Sequence, residues 1–82
     1  MMSKDSLDIV MEIVEVALDL ESGVIQASSD SASIEEWDSL GQLSILVALD
    51  THFGGKVSNL TEMADVDSVQ AILAVLKKNG IC

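Results

Sequence analysis

The sequence predicts a small all-α protein, a four-helix bundle of three long helices and one short helix. Apolar residues recur at intervals of three and four along most of the chain, and proline, which interrupts helices, is absent. The 82 residues allow a single domain, residues 1–82, and the 49% hydrophobic content is enough for a compact core. A chain of this size leaves no room for a second domain or a cofactor-sized active-site cleft.

The first helix is predicted over residues 4–20. Acidic residues follow one another there at spacings of four, three and four, and apolar residues keep the same rhythm on the opposite side. The acidic set is Asp8, Glu12, Glu15 and Asp19, and the apolar set is Val10, Ile13, Val14 and Ala17. This pattern predicts an amphipathic helix whose acids lie away from the core, and we expect Ser22-Gly23 to end it.

A long loop over residues 22–36, with five serines and scattered apolar residues, is predicted to precede the second helix. The second helix is predicted over residues 38–53, with Asp38 as its N-cap and Gly54-Gly55 at its end. Its apolar residues spread around almost the whole circumference. Such a helix is either central to the bundle or offers part of its surface to a partner.

The remaining chain predicts a short helix over residues 60–65 and a last long helix over residues 67–79. Asp67 is the expected N-cap of the last helix. Two lysines in its last turn complement the helix dipole, and Asn79-Gly80 is expected to end it.

The charge of the chain excludes several classes of partner. Fourteen acids stand against four lysines and no arginine, which gives a formal net charge of -10. This balance disfavours nucleic acid and anionic membranes, because binding to either needs cationic side chains, and it favours basic partners. No segment is apolar enough for a signal peptide or a membrane span, and the single cysteine, Cys82, cannot form an internal disulfide. We therefore expect a cytoplasmic monomer without membrane insertion.

No catalytic or metal site is predicted. His52, the one histidine, follows Ser39 by 13 residues, and on one helix the two would lie roughly 20 Å apart. They cannot then form a nucleophile and its base. His52 and Cys82 are too few ligands for structural zinc, and residues 65–68 lack the glycine and the terminal glutamate of a calcium loop.

One motif remains, Trp37-Asp38-Ser39-Leu40-Gly41 at the start of the second helix. It resembles the cofactor-attachment motif of acyl carrier proteins and of the related peptidyl carrier domains. The resemblance extends over nearly the whole chain, through its length, its acidity, the long first loop, the Phe53-Gly54 end of the second helix and residues 66–73. It implies an acyl-carrier-like fold and a chain that is not itself an enzyme.

The resemblance also implies a covalent cofactor on Ser39. Carriers of this family bear 4′-phosphopantetheine on that serine through a phosphodiester. A separate magnesium-dependent phosphopantetheinyl transferase would supply the arm from coenzyme A, with Asp38 as helix cap and as a recognition residue for the transferase. A helix N-terminus is electrostatically suited to the added phosphate. The thiol of the arm would then carry acyl groups as thioesters between partner enzymes.

Partner enzymes are expected to recognise the outward side of the second helix through Leu40, Leu43 and Val47. Asp38 and Asp50 would only steer them. In the housekeeping carriers of fatty acid synthesis this side is strongly acidic, whereas here Asp50 is the one acid that follows the cap within the helix. Chains with Asp-Ser-Leu-Gly after a tryptophan resemble the stand-alone carriers of specialised pathways, so the expected role is in fatty acid or specialised lipid or natural-product biosynthesis. The expected partners are acyl-loading and acyl-processing enzymes whose docking patches are basic or apolar.

Two alternatives remain open. An aminoacyl or peptidyl carrier would share the fold and Ser39 and would differ only in its cargo. An unmodified acidic helical adaptor would dock on a basic partner through the same apolar residues, with Ser39 merely in a helix cap. Residues that could shelter an apolar cargo, but that are ordinary core by default, are Ile45, Leu49, Phe53, Ala64, Val66 and Leu73.

Overall fold

The computed structural model of the chain describes residues 5–81. The described part is helical and contains no β-strand, which confirms the all-α class. It has three α-helices and one short 3-10 helix, in the order α1 (Ser6–Ala17), α2 (Ser39–His52), the 3-10 helix (Thr61–Asp65) and α3 (Val69–Lys78). The fourth element is thus a single 3-10 segment, and a bundle of four α-helices is not what these residues form.

The core lies where the three α-helices meet. α1 packs against both α2 and α3, and the 3-10 helix contacts α2 and α3. The largest fully buried side chains come from all four elements and from the segment before the 3-10 helix, namely Ile45, Leu49, Met63, Ile72, Leu76, Val10, Val14, Val57 and Val69. Burial of these side chains is the main source of stability for so small a chain. No α-helix among residues 5–81 has the length and apolar character needed to cross a membrane.

α1 is shorter than the sequence predicts. It begins at Ser6 and ends at Ala17, and its N-cap is Asp5, whose carboxylate accepts a hydrogen bond from the Asp8 N–H at 2.9 Å. The expected continuation to residue 20, with a stop at Ser22-Gly23, is wrong because Asp19 takes a left-handed conformation, with φ of 57°. The Leu20 N–H then donates to the Glu15 carbonyl at 2.8 Å, which closes the helix end.

Replacement of Asp19 by glycine should stabilise the fold by about 0.5–1 kcal/mol, because glycine adopts the left-handed conformation without the steric cost that a side chain brings. Thermal or denaturant unfolding measures the gain. Asp19→Asn removes the same charge and keeps a side chain, so a glycine variant no more stable than the asparagine variant would contradict this reason.

Glu15 does not lie on the solvent side of α1, as its spacing suggests. Its side chain is buried, and Oε2 accepts hydrogen bonds from the N–H groups of Gly23 at 2.8 Å and Ile25 at 3.1 Å. The left-handed turn at Asp19 brings the following chain back across α1, so that these two donors reach the carboxylate. The expectation of a solvent-facing Glu15 is therefore wrong, and the residue anchors the start of the long loop.

The long loop is also fastened to the start of α3. Asp30 and Ser68 form an isolated antiparallel bridge, in which the Ser31 N–H donates to the Asp67 carbonyl at 2.8 Å and the Val69 N–H to the Ser29 carbonyl at 3.1 Å. The N-cap of α3 is Ser68, whose Oγ accepts from the Ala71 N–H at 3.0 Å. The prediction of Asp67 as the cap is off by one residue, because the Asp67 backbone pairs with the loop instead.

The helix ends after α2 and α3 agree with the glycine signals in the sequence. Gly54 and Gly80 take left-handed conformations, with φ of 67° and 71°. The Gly55 N–H donates to the Asp50 carbonyl at 2.8 Å, and the Ile81 N–H donates to the Leu76 carbonyl at 2.9 Å. Both helices therefore end in the motif that a left-handed residue after the C-cap produces.

An exposed ion pair connects the 3-10 helix to the end of α3. Lys78 Nζ donates to Glu62 Oε2 at 2.7 Å, and Asn79 Nδ2 donates to Glu62 Oε1 at 3.3 Å. The hydrogen bond from Lys78 lowers the pKa of Glu62 and raises the pKa of Lys78, and the bond from Asn79 lowers the pKa of Glu62 further. Because the carboxylate pKa is lowered on folding, the pair adds stability at neutral pH, and this is lost as the pH falls through the pKa of Glu62.

Candidate functional site

Ser39 is the first residue of α2, and its side chain is exposed. Asp38 caps the helix as the sequence predicts, since its Oδ1 accepts a hydrogen bond from the Gly41 N–H at 2.9 Å. The cap holds the backbone extended up to residue 38 and helical from residue 39. The Ser39 hydroxyl is therefore presented to solvent from a fixed helix terminus.

A hydrogen-bonded tryptophan lies beneath this terminus. The Trp37 side chain is only 4% exposed, and its Nε1–H donates to Gln42 Oε1 at 2.7 Å. Gln42 Nε2 in turn lies 3.5 Å from the carbonyl oxygen of Met63 and 3.4 Å from that of Ala64. Gln42 thus ties the residue before the cap to α2 and to the 3-10 helix.

Gln42 is not among the residues predicted for this site, although the sequence carries a signal for it. A buried indole N–H needs an acceptor, and Gln42 is a polar residue among the apolar residues that follow Trp37 by one or two helical turns. That reasoning could have nominated Gln42, but not its second contact with the 3-10 helix, which lies more than twenty residues further along the chain.

Gly41 permits a close approach of the loop to α2. A Cβ at this position would collide with the backbone carbonyl oxygen of Glu36 and would lie 2.8 Å from Leu18 Cδ2. Only a residue without a side chain lets the chain before Asp38 lie against the first turn of the helix. The glycine after Ser39-Leu40 is therefore required by packing at the site, not by backbone conformation.

A shallow, open depression of about 450 Å³ adjoins Ser39. It lies between the long loop, the start of α2 and the chain that joins the 3-10 helix to α3. Its lining residues are Ser31, Trp37, Asp38, Ser39, Gln42, Ala64, Val66 and Asp67. A group attached to the Ser39 hydroxyl would have polar and apolar surface within its immediate reach.

Leu40, Leu43 and Val47 lie on one face of α2, and we refer to them as the α2 stripe. Their spacing of three and four residues is that of one helix side, and their exposed fractions are 76%, 59% and 60%. Three large apolar side chains so exposed in a row are typical of a protein-binding surface. The stripe begins at the residue next to Ser39.

Asp50, also predicted as a recognition residue, has a structural role that the sequence did not suggest. The residue is half-buried, and its Oδ1 accepts a hydrogen bond from the Ser58 N–H at 2.8 Å. The Ser58 hydroxyl donates to the Gly55 carbonyl at 3.3 Å. Asp50 thus holds the turn that follows α2, and of the two predicted recognition acids Asp38 is the one that is exposed.

The six candidate cargo residues do not line one cavity. Ile45 and Leu49 are completely buried in the core, and Leu73 is buried as well. Ala64 and Val66 lie beside the depression next to Ser39, whereas Phe53 is half-buried at the other end of α2. Their placement agrees with the interpretation of most of them as ordinary core.

An open groove of about 360 Å³ lies between α2 and the chain around the 3-10 helix. Of the six candidate cargo residues, its lining includes Ala64. Val47 of the α2 stripe and the buried Met63 border it as well. An apolar group could lie against this surface without entering the core.

His52 lies at the end of α2 opposite to Ser39. Its ring is exposed and packs edge-on against Phe53, with ring centroids 4.8 Å apart. Among residues 5–81, no group of three or more histidine, cysteine, aspartate or glutamate residues is arranged to hold a metal ion. Cys82, considered above as a ligand, lies outside the described residues.

Comparison with protein-family models, with curated proteins and with solved structures finds no match to this chain. The geometry around Ser39 and the motif at residues 37–41 are therefore the observations from which a function can be argued.

Proposed function

We propose that this chain is an acyl carrier protein that bears 4′-phosphopantetheine on Ser39. The observation that carries the proposal is the exposed hydroxyl of Ser39 at the first position of a helix capped by Asp38, within a motif that resembles the attachment site of this family. In this proposal the 3-10 helix takes the place of the short fourth helix of an acyl-carrier bundle. The chain itself catalyses nothing, and it acts in the cytoplasm.

The helix terminus suits a phosphodiester. The first N–H groups of an α-helix have no partner within the helix, and the positive end of the helix dipole favours an anion. The Gly41 N–H is taken by the Asp38 carboxylate, so the first-turn donors that have no partner within the helix are the N–H groups of Ser39 and Leu40. Asp38 is itself exposed, so a phosphopantetheinyl transferase that uses coenzyme A can reach it together with the serine.

The α2 stripe supports recognition of the carrier by apolar contacts. It starts beside Ser39, so an enzyme that covers Leu40 and Leu43 would have its active site within reach of the arm. Exposed charge contacts are typically worth about 0–1 kcal/mol, whereas a desolvated apolar anchor is worth about 2 kcal/mol or more. Transferase, acyl-loading and acyl-processing partners would therefore have apolar docking patches, with basic residues that face Asp38.

Two versions of the proposal differ in the cargo that the arm carries, which is either an acyl group or an aminoacyl or peptidyl group. The candidate cargo residues Ile45 and Leu49 are fully packed, so an acyl chain that entered the core would have to displace its neighbours. This packing favours an aminoacyl or peptidyl carrier as the second candidate, since such a cargo needs no internal site. In either version the departure from an acidic second helix favours a specialised lipid or natural-product pathway over fatty acid biosynthesis.

Intact mass after incubation with coenzyme A, magnesium and a broad-specificity phosphopantetheinyl transferase tests the proposal. The wild type should gain one phosphopantetheine and Ser39→Ala none, with little change in unfolding temperature because an exposed hydroxyl contributes little to packing. Ser44→Ala, which removes an exposed hydroxyl from the same helix, should be modified as the wild type is.

An unmodified wild type would favour the acidic adaptor over the carrier. A Ser39→Ala variant that still gained the mass would place the attachment at another serine.

A further inference from the structure

Gln42 contacts both of the residues that lead into Ser39. It follows Ser39 by three residues, so the two lie on the same side of α2, and its half-buried side chain borders the depression beside the serine. Its backbone N–H donates to the Asp38 carbonyl at 2.8 Å, and its side-chain oxygen accepts from the Trp37 indole N–H at 2.7 Å. One residue therefore holds the backbone of the cap and the side chain that precedes it.

The side-chain amide of Gln42 has one favourable orientation in this network. Its Nε2 lies 3.5 Å from the Met63 carbonyl oxygen and 3.4 Å from the Ala64 carbonyl oxygen, so these contacts are weaker than the bond to Trp37. The inverted amide would place its NH2 group against the indole N–H and its oxygen against two carbonyl oxygens, and both ends would lose their partners. The 3-10 helix therefore keeps the amide oxygen turned towards Trp37.

The position of Trp37 depends on this acceptor. The indole is only 4% exposed, and a buried N–H without an acceptor is unfavourable. Loss of the Gln42 oxygen should therefore turn the ring or move it towards water. Asp38 and Ser39 follow Trp37 directly in the chain, so a movement of Trp37 reaches the cap and the serine.

We propose that Gln42 is a positioning residue for the modification of Ser39. It holds Trp37 beneath the helix start and thereby fixes the place at which the serine hydroxyl meets a transferase. The inference rests on the proposed function and adds a residue on which that function depends. Asp38 fixes where α2 begins, whereas Gln42 fixes the chain that leads into it.

The kinetics of a phosphopantetheinyl transferase on the full chain test this role, with kcat and KM for the carrier obtained from intact mass. Gln42→Met keeps the length of the side chain and removes both its oxygen and its NH2 group. A displacement of about 1 Å between reacting groups can slow a reaction by on the order of a hundredfold, and we expect kcat to fall by about tenfold. KM should change by less than about twofold, because the variant leaves the α2 stripe intact.

Two kinds of control accompany Gln42→Met. Gln70→Met makes the same change at a glutamine of α3, whose Nε2 donates to the Ala27 carbonyl at 3.1 Å, and it should be modified as the wild type is. Gln42→Glu keeps an acceptor for Trp37 and loses the donor to the 3-10 helix, so its kcat should lie between those of the wild type and Gln42→Met. Ser44→Glu adds the same charge at an exposed position of α2 and corrects for it.

Trp37→Phe removes the indole N–H, retains an aromatic ring and should also lower kcat. The double variant with Gln42→Met should be no slower than Trp37→Phe alone, because Gln42 acts through the indole. In NMR spectra, the indole N–H of the single tryptophan should exchange with solvent faster in Gln42→Met and remain protected in Gln42→Glu. Circular dichroism checks that each variant is folded. If Gln42→Met does not fold, Gln42→Glu and Trp37→Phe decide the question, and both should then be slower than the wild type.

Equal kcat values for the wild type and Gln42→Met overturn the proposal, as does an equal loss in Gln70→Met or an additive loss in the double variant. A Gln42→Glu variant as slow as Gln42→Met would show that the acceptor oxygen is not what matters. A raised KM at unchanged kcat would make Gln42 a docking contact of the transferase. The wild type is modified in all of these results, so the carrier function would stand. An unmodified wild type would instead refute the carrier function and this role with it.

Discussion

Glu15→Ala is expected to destabilise the folded chain by about 2–4 kcal/mol, because it removes the common acceptor of the Gly23 and Ile25 N–H groups. The Ile25 donor is buried, and an unsatisfied buried donor costs about 1–3 kcal/mol. A domain of this size has a total free energy of unfolding of roughly 5 kcal/mol, so the substitution would remove a large part of it. Urea unfolding followed by circular dichroism measures the loss.

Whether Glu15→Ala lowers or raises the free energy of unfolding shows whether hydrogen bonding or net charge dominates at this position. With fourteen acids against four lysines, the removal of a carboxylate relieves repulsion, and on charge alone Glu15→Ala should stabilise the chain. Glu21→Ala removes the same charge from an exposed position and should be neutral or slightly stabilising. Glu15→Gln keeps an acceptor oxygen and should lose about 1 kcal/mol. Equal stability of the Glu15 and Glu21 alanine variants would refute the anchoring role.

Gly41→Ala is expected to destabilise the chain by about 1–3 kcal/mol, although the same change stabilises most helix interiors by about 0.5–1 kcal/mol. The added Cβ would collide with the Glu36 carbonyl oxygen, and backbone cannot move aside as the end of a side chain can. The chain from Glu36 to Asp38 must then shift, and Trp37 with it. Denaturant unfolding measures the loss, and emission of Trp37, the single tryptophan, reports the local shift.

Ser44→Ala is the matched control for Gly41→Ala. It places an alanine one turn later at an exposed position of the same helix and should be neutral or stabilising, with unchanged Trp37 emission. If Gly41→Ala were as stable as Ser44→Ala, the segment before Asp38 would not be packed against α2 as described.

The shift of the segment from Glu36 to Asp38 in Gly41→Ala also affects the proposed modification of Ser39. A moved Trp37 and Asp38 would present Ser39 in a different position, so Gly41→Ala should be modified by the transferase more slowly than Ser44→Ala. The rates are compared by intact mass under conditions in which both variants are folded. Equal rates would mean that the transferase tolerates the displaced cap.

The start and end of α2 could be predicted from the sequence because they depend on neighbouring residues. Asp38 binds an N–H three residues away, and Gly54 supplies a left-handed residue directly after the helix. The apolar residues around the whole circumference of α2 left open whether the helix is central or partly exposed, and the exposed side chains of Leu40 and Val47 show that part of it faces solvent. These local signals place Ser39 at the helix terminus, and the resemblance of the motif at residues 37–41 makes its hydroxyl the candidate site.

Other assignments failed where a partner lies elsewhere in the chain. Glu15 has the spacing of a solvent-facing acid, and only the return of residues 23–25 across α1 buries it. The cap of α3 moved to Ser68 because the Asp67 backbone pairs with the long loop. Asp50 likewise is occupied by the Ser58 N–H from the turn after α2.

The sequence by itself therefore determined the helical class, the acidic charge and the helix terminus that carries Ser39, because caps, glycines and helical periodicity act within one or two turns. Only the tertiary structure decided which acids are buried and why residue 41 must be glycine. Those features depend on where the backbone of one segment meets another. These contacts between distant segments are set by the packing of the whole core, so they cannot be predicted from a short stretch of sequence.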